Sequence, residues 1–134
     1  MESIYKKEDK LLIFKMNEEI DECEVQKIRR KLDNEIERYM PKEVIFDFDK
    51  VSFMDSAGIG LVLGRYKLAN MLGGKVKVAN LRTPVRKIFE MSGMLKVIPE
   101  VQKKEPALND LAQNWKKEKK EPTLNYPFKE VQYE

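Results

Sequence analysis

Ser56 follows Asp55 in the run Phe53-Met54-Asp55-Ser56-Ala57-Gly58-Ile59-Gly60, the stretch of this chain whose residue types are best suited to chemistry. A serine in that position has three uses: nucleophile, phosphoryl acceptor or helix cap. Nucleophilic use needs a base beside the hydroxyl. The chain has no histidine, and neither a Walker-type phosphate loop nor a plausible base stands near Ser56, so intrinsic catalysis is not expected. As a cap, Asp55 or Ser56 would satisfy a first-turn amide and be worth about 1 kcal/mol. As an acceptor, Ser56 would carry a phosphoryl group of about −1.5 to −2 charge where a strand-to-helix loop becomes a helix. Free N–H groups and the positive end of the helix dipole tolerate that charge. Gly58 and Gly60 would allow close backbone approach. Asp47, Asp49 and Asp55 lie on or just after a strand and raise the question of a magnesium site, but their spacing matches no metal motif. No metal and no cofactor are expected. Cys23, the only cysteine, permits no intramolecular disulfide, lacks metal-ligand spacing, and reads as a small hydrophobe in a reducing, cytoplasmic setting.

Elements of regular structure must position these residues. Leu11-Leu12-Ile13-Phe14-Lys15-Met16 reads as a buried strand, with an earlier strand over 3–7. Asp21 followed by Glu24 resembles a capping box. From there Val25, Ile28, Leu32, Ile36 and Tyr39 recur at spacings of three and four, predicting a charged helix with one apolar stripe, ended by Pro41. Val44-Ile45-Phe46-Asp47-Phe48 has the β-branched and aromatic content of a central strand. After the Ser56 loop, 61–72 predicts a helix stopped by Gly73-Gly74. Lys75-Val76-Lys77-Val78 alternates as a strand. Thr83 and Pro84 supply an N-cap and a first helical residue for a helix to Met91, ended at Gly93. Residues 96–101 predict an edge strand, where Pro99 is tolerated. Pro106 can open a last helix with Leu108, Leu111 and Trp115 on one face. Strands alternating with helices imply an α/β layered architecture with parallel pairings. Residues 1–120 read as one domain; 121–134 read as a tail, disordered or docked as an extended segment through Tyr126, Phe128 and Tyr133.

Composition narrows the function. At 134 residues the chain suits a single modest core. Charged residues make up 37% of it, yet 26 Lys and Arg are interleaved with 23 Asp and Glu for a net charge of +3. A dedicated nucleic-acid protein would cluster its cations or interleave them with aromatics. The one candidate patch, Lys116, Lys117, Lys119 and Lys120, predicts salt-dependent binding if it acts that way. The N-terminus lacks the apolar core of a signal peptide, and no apolar run approaches the roughly 18 residues of a membrane span. No membrane and no direct nucleic-acid partner are expected.

Residues 51–67, Val51-Ser52-Phe53-Met54-Asp55-Ser56-Ala57-Gly58-Ile59-Gly60-Leu61-Val62-Leu63-Gly64-Arg65-Tyr66-Lys67, resemble the signature of the anti-sigma-F factor antagonists, stand-alone STAS domain proteins of sporulation. Gly73-Gly74-Lys75-Val76 and Arg86-Lys87-Ile88-Phe89-Glu90-Met91-Ser92-Gly93 resemble the same family in the same order, and the similarity spans roughly 4–101. The resemblance implies a STAS fold, a small mixed β-sheet with about four helices packed mainly on one side. It implies partner switching in transcription regulation. The unmodified protein binds an anti-sigma factor serine kinase and frees a sigma factor; the kinase then phosphorylates the serine after the motif's aspartate, here Ser56; a metal-dependent serine phosphatase resets it. It further implies partner contacts through Asp21, Asp55, Ser56, Ala57, Gly58, Ile59, Gly64 and Arg65. Asp21 also fits a plain helix cap, Tyr66 fits the core, and Gly64 would let another backbone approach, internal or from the kinase. Two positions depart from the family. Glu18 stands where glycine is common, which predicts a reshaped turn with Asn17 in the left-handed region. Ala57 stands where a second serine is common, which leaves Ser56 as the acceptor. The alternative reading keeps the STAS module but gives it another partner: a general-stress kinase, a signalling scaffold or a nucleotide.

Overall fold

The computed structural model describes residues 1–101. The predicted last helix from Pro106, the lysine patch at 116–120 and the 121–134 tail lie outside the described residues.

Two strands, β1 (Glu2–Lys6) and β2 (Leu11–Lys15), form an antiparallel hairpin whose turn places Lys10 at φ 51°. The chain then makes a two-residue strand, β3 (Glu19–Ile20), and enters helix α1 (Glu22–Tyr39). Strand β4 (Glu43–Asp47) pairs parallel to β2; a second two-residue strand, β5 (Phe53–Met54), leads into α2 (Ser56–Met71). Strand β6 (Lys75–Ala79) pairs parallel to β4, and α3 (Thr83–Met91) follows. The main sheet therefore has the order β1-β2-β4-β6, mixed in direction, while β3 and β5 form a separate parallel ribbon.

Strand alternation splits the sheet's side chains between two faces. Leu12, Phe14, Val44, Phe46, Val76 and Val78 share one core with Val25, Ile28, Leu32 and Ile36 of α1, Leu61, Val62 and Ala69 of α2, and Val85 and Phe89 of α3. All three helices thus pack on the same face. Phe14, Phe46, Phe48 and Phe89 run through that core with ring centroids 5.4 to 6.5 Å apart. A smaller cluster of Ile4, Leu11, Ile13, Ile45 and Ala79, with Val101 against it, occupies the other face. The mixed sheet with helices on one side is the expected α/β architecture, with three α-helices and a 3₁₀ turn among the described residues.

Four local expectations are corrected. Helix α2 starts at Ser56 rather than Leu61, because Asp55 already supplies its cap. Arg82, not Thr83, is the N-cap of α3; Thr83 and Pro84 are its first two residues, and no side chain caps it. The predicted edge strand over 96–101 is reduced to one bridge, between Val78 and Glu100. Gly93 turns the chain at φ 76° into a 3₁₀ turn (Met94–Lys96), Ile98 rolls into the core, and Pro99 has no N–H to give a ladder. What remains is Val78 N donating to Pro99 O at 3.0 Å and Val101 N to Val78 O at 2.8 Å, with Arg86 of α3 gripping Glu100 through two bonds of 2.9 and 2.6 Å. Finally, neither Asn17 nor Glu18 has positive φ; Lys10, Met40 and Asn80 are the described non-glycine residues that do. Glycine is not required at position 18.

Candidate functional site

The β3–β5 ribbon builds the site. Glu19 is in register with Phe53 and Ile20 with Met54. Ser52 N and Phe53 N donate to Glu18 O at 2.8 and 3.3 Å, and Asp55 N donates to Ile20 O at 3.2 Å. Continuing the register by one residue sets Asp21 beside Asp55, so α1 and α2 start next to each other, each from an aspartate. The two caps have almost the same backbone: Asp21 at φ −105°, ψ −177°, Asp55 at φ −107°, ψ −172°. Asp21 Oδ1 accepts from Glu24 N at 2.9 Å, and Asp55 Oδ1 accepts from Ala57 N at 2.9 Å. The capping box at Asp21 is half made, because the Glu24 carboxylate takes the Asn17 side-chain amide at 2.6 Å.

Ser56 is the first residue of α2 and is exposed. Its Oγ makes no hydrogen bond among the described residues. Asp55 occupies both amides that follow it, Ala57 N through its side chain and Gly58 N through its backbone oxygen at 3.0 Å. The positive helix end favours a phosphoryl group on Ser56. The four acids Glu18, Glu19, Glu22 and Asp49 are exposed close in sequence to the two caps, as is Lys50.

The predicted contact residues separate into two groups. Asp21, Asp55, Ser56, Ala57 and Ile59 lie together at the paired helix starts, with Ala57 and Ile59 half-buried against the core. Gly58 is buried beneath them. A Cβ there would stand 2.4 Å from Met54 Cγ and 3.2 Å from Ile20 Cγ2, so this glycine lets α2 settle onto the ribbon. Gly60 and Gly64 differ from it: a Cβ at either would meet nothing within 4 Å, so no internal backbone requires them. The expected close approach at Gly60 is not made among the described residues. Arg65 lies more than two turns further along α2 and is 9% exposed, its Nε 2.8 Å from Asp33 Oδ1 on α1. The pair is close but not aligned as a hydrogen bond, and Arg65 Nη1 is buried with no hydrogen-bond partner among the described residues. Burial pushes the Arg65 pKa down, Asp33 opposes that shift, and Arg29 adds to it. Arg65 ties α2 to α1. Tyr66 packs against the core, as its place in the apolar rhythm implied.

Asp47 is engaged inside the fold: Oδ2 lies 3.2 Å from Lys15 Nζ, and Oδ1 accepts from Asp49 N and Asn80 Nδ2, both at 2.9 Å. Among the described residues no group of three or more His, Cys, Asp or Glu is placed to hold a metal ion, and no helix is long and apolar enough to cross a membrane. Cys23 is exposed in the first turn of α1, not buried as expected. Two features escaped the sequence reading. Phe53 is 51% exposed three residues before Ser56; strand alternation with buried Met54 was the available signal. The ribbon itself was signalled by a repeated pair, Ile20-Asp21 and Met54-Asp55, an apolar residue before each capping aspartate.

A four-stranded mixed sheet with helices on one face, a two-strand ribbon and an aspartate-capped exposed serine together define a STAS-type module. The chain belongs to the STAS domain family, whose profile matches residues 3–109, and within it to the anti-sigma factor antagonists. It is 34% identical over 101 residues to an anti-sigma F factor antagonist of Paenibacillus polymyxa, covering 75% of this chain and 86% of that protein. Among solved structures it is similar to the anti-sigma factor antagonist SpoIIAA in its unphosphorylated form, with a TM-score of 0.63, 26% identity, and coverage of 87% of this chain and 93% of the other. It is also similar to the Bacillus cell fate determinant SpoIIAA in the phosphorylated form, with a TM-score of 0.58, 29% identity, and coverage of 77% and 92%.

Proposed function

We propose that this chain is a partner-switching anti-sigma factor antagonist whose switch is Ser56. Unmodified, it binds an anti-sigma factor serine kinase in the cytoplasm and frees the sigma factor. The kinase ends that binding by phosphorylating Ser56, and a metal-dependent serine phosphatase restores it. The observation that carries the reading is the exposed, unbonded Ser56 hydroxyl at the start of α2, held beside two aspartate caps. Such a hydroxyl lacks the base that would make it a nucleophile of its own, but it is well presented to another protein's active site.

The chemistry is simple phosphoryl transfer. Ser56 Oγ forms a bond to the γ-phosphorus of ATP, the bond to ADP breaks, and the hydroxyl proton leaves to a base on the kinase. The phosphatase reverses the ester with water, giving serine and inorganic phosphate. To be phosphorylated, Ser56 must lie against the nucleotide's terminal phosphate. Once it carries about −1.5 to −2 charge, that same position is repelled by the phosphates of the kinase's bound nucleotide, ADP at first and ATP after exchange, and the complex separates. Gly60 and Gly64, bare on the helix that Ser56 opens, leave room for the kinase backbone. Asp21, Asp55 and their acidic neighbours favour cationic groups on that partner.

Incubation of the full chain with an anti-sigma serine kinase and MgATP, followed by peptide mass spectrometry, is expected to place one phosphoryl group on Ser56. Ser56→Ala should stay unmodified, keep its fold and remain bound to the kinase. Ser56→Asp should bind more weakly, by less than true phosphoserine because a carboxylate is smaller and less charged. Phosphate on another serine with Ser56 untouched would overturn the reading. So would unchanged affinity of both the aspartate variant and the phosphorylated chain.

A further inference from the structure

Phe53 is about half exposed at the rim of the site, on a backbone tied down by hydrogen bonds. Phe53 N is bonded to Glu18 O, its neighbour Ser52 is bonded to the same oxygen through both its amide at 2.8 Å and its hydroxyl at 3.3 Å, and Asp55 N is bonded to Ile20 O. The preceding Val51 and following Met54 are buried. The ring is thus presented by a pinned turn, with little ordering entropy left to lose on docking.

Position makes it part of any complex formed at Ser56. Three residues of chain span at most about 11 Å. A stable interface covers about 800 Å² on each partner, a disc with a radius of roughly 16 Å. An interface centred on Ser56 would therefore reach Phe53. Isolated exposed hydrophobic residues are ordinary on protein surfaces. A fixed aromatic near the centre of an interface is different, because such residues dominate binding energy once water is excluded from them. Acidic residues line its β3 side, while Lys50 is exposed three residues before it. Phe53 stands in register with exposed Glu19, next to exposed Glu18, with Asp21 and Glu22 beyond.

Building on the switch reading above, we propose that Phe53 is the apolar anchor of the kinase interface, seated in an apolar socket whose rim is cationic to match Glu18, Glu19, Asp21 and Glu22. The acids then steer encounter and orientation, the ring holds the complex, and Ser56 lies beside the anchor rather than being one. This separates affinity from the modified residue. The kinase can hold its substrate firmly by Phe53 while the phosphoryl group, arriving a short distance away, still ends the complex by repulsion.

The test uses the full chain, the anti-sigma kinase that modifies Ser56, and MgATP. Phe53→Ala should raise the KM for the chain about tenfold or more and leave kcat within about twofold, since it removes binding and not chemistry. Phe53→Leu, still apolar, should recover most of the lost affinity. Glu19→Lys should weaken binding at low salt and flatten its salt dependence. Thermal melts of each variant show whether the fold is intact. A KM for Phe53→Ala equal to wild type overturns the anchor and leaves the switch reading standing. Loss of the fold in both the alanine and the leucine variant overturns it too, by making the ring structural. Failure of every anti-sigma kinase to bind or modify the wild-type chain removes the switch reading and the anchor with it.

Discussion

The two helix starts at the site are built alike and finished differently. Both follow a short apolar–aspartate pair on the β3–β5 ribbon, and their caps agree within a few degrees. Helix α1 continues with Glu22, Cys23 and Glu24, acidic in its first turn as the positive helix end prefers. Helix α2 continues with Ser56, Ala57, Gly58, Ile59 and Gly60 and has no acid in its first turn. One start is completed as stability alone would have it. The other forgoes stabilising carboxylates and, at Gly60, has glycine where alanine would raise helix propensity by about 1 kcal/mol, whereas Gly58 is required by the packing on Met54. That asymmetry, at equal backbone geometry, fits the proposal that α2 is the side kept clear for the kinase.

Gly58 offers the sharpest way to break the comparison, because it is the point at which α2 rests on the ribbon. Gly58→Ala drives a methyl group into Met54 and Ile20, both 2% exposed or less. Overpacking of this kind costs about 1 to 3 kcal/mol. Thermal denaturation should show a fall in Tm on the order of 4 °C or more. A melt indistinguishable from wild type would mean that the ribbon yields easily, and that the pairing of the two starts is not a rigid feature.

The capping aspartates should then separate by charge rather than by stability. Asp21→Ala and Asp55→Ala each remove a side-chain bond to a first-turn amide and should each cost about 1 kcal/mol in chemical denaturation. Asn caps a helix about as well as Asp. Asp21→Asn and Asp55→Asn should therefore melt near wild type while binding the kinase more weakly, since only the charge has gone. If the asparagine variants bind as wild type, the aspartates are caps and nothing more.

Much of the fold was legible because its elements obey simple periods. The stripe Val25, Ile28, Leu32, Ile36 and the apolar strands β2 and β4 needed no tertiary information. The reading failed where the third dimension decides. Thr83-Pro84 looks like a cap and first residue, but the helix begins one residue earlier, with Arg82 as its cap and no side chain capping it. The segment 96–101 looks like a strand, yet the core's demand for Ile98 leaves only one bridge to β6. At the site, Ser56 and both aspartates were readable from local order, and their adjacency followed only with the ribbon. Arg65 shows the limit best. A charged residue in a charged chain reads as solvent-facing, and nothing local in the sequence tells that Asp33 of another helix buries it.

The smallest expected effect is at Gly60, and it tests whether the clear side of α2 is clear for a reason. Gly60 is exposed in the helix interior, and an added Cβ meets nothing within 4 Å. Taken alone, the domain should gain about 0.5 to 1 kcal/mol from Gly60→Ala, through lower chain entropy in the unfolded state and better helix propensity. The same methyl group stands one turn from Ser56, where the kinase backbone is proposed to lie. The variant should therefore melt slightly higher than wild type and be phosphorylated with a raised KM. A higher melt with unchanged KM would place the partner off this face and confine the interface to Phe53 and the acidic rim. A lower melt would mean that Gly60 is packed against something in solution, and the asymmetry between the two helix starts would then be structural in origin.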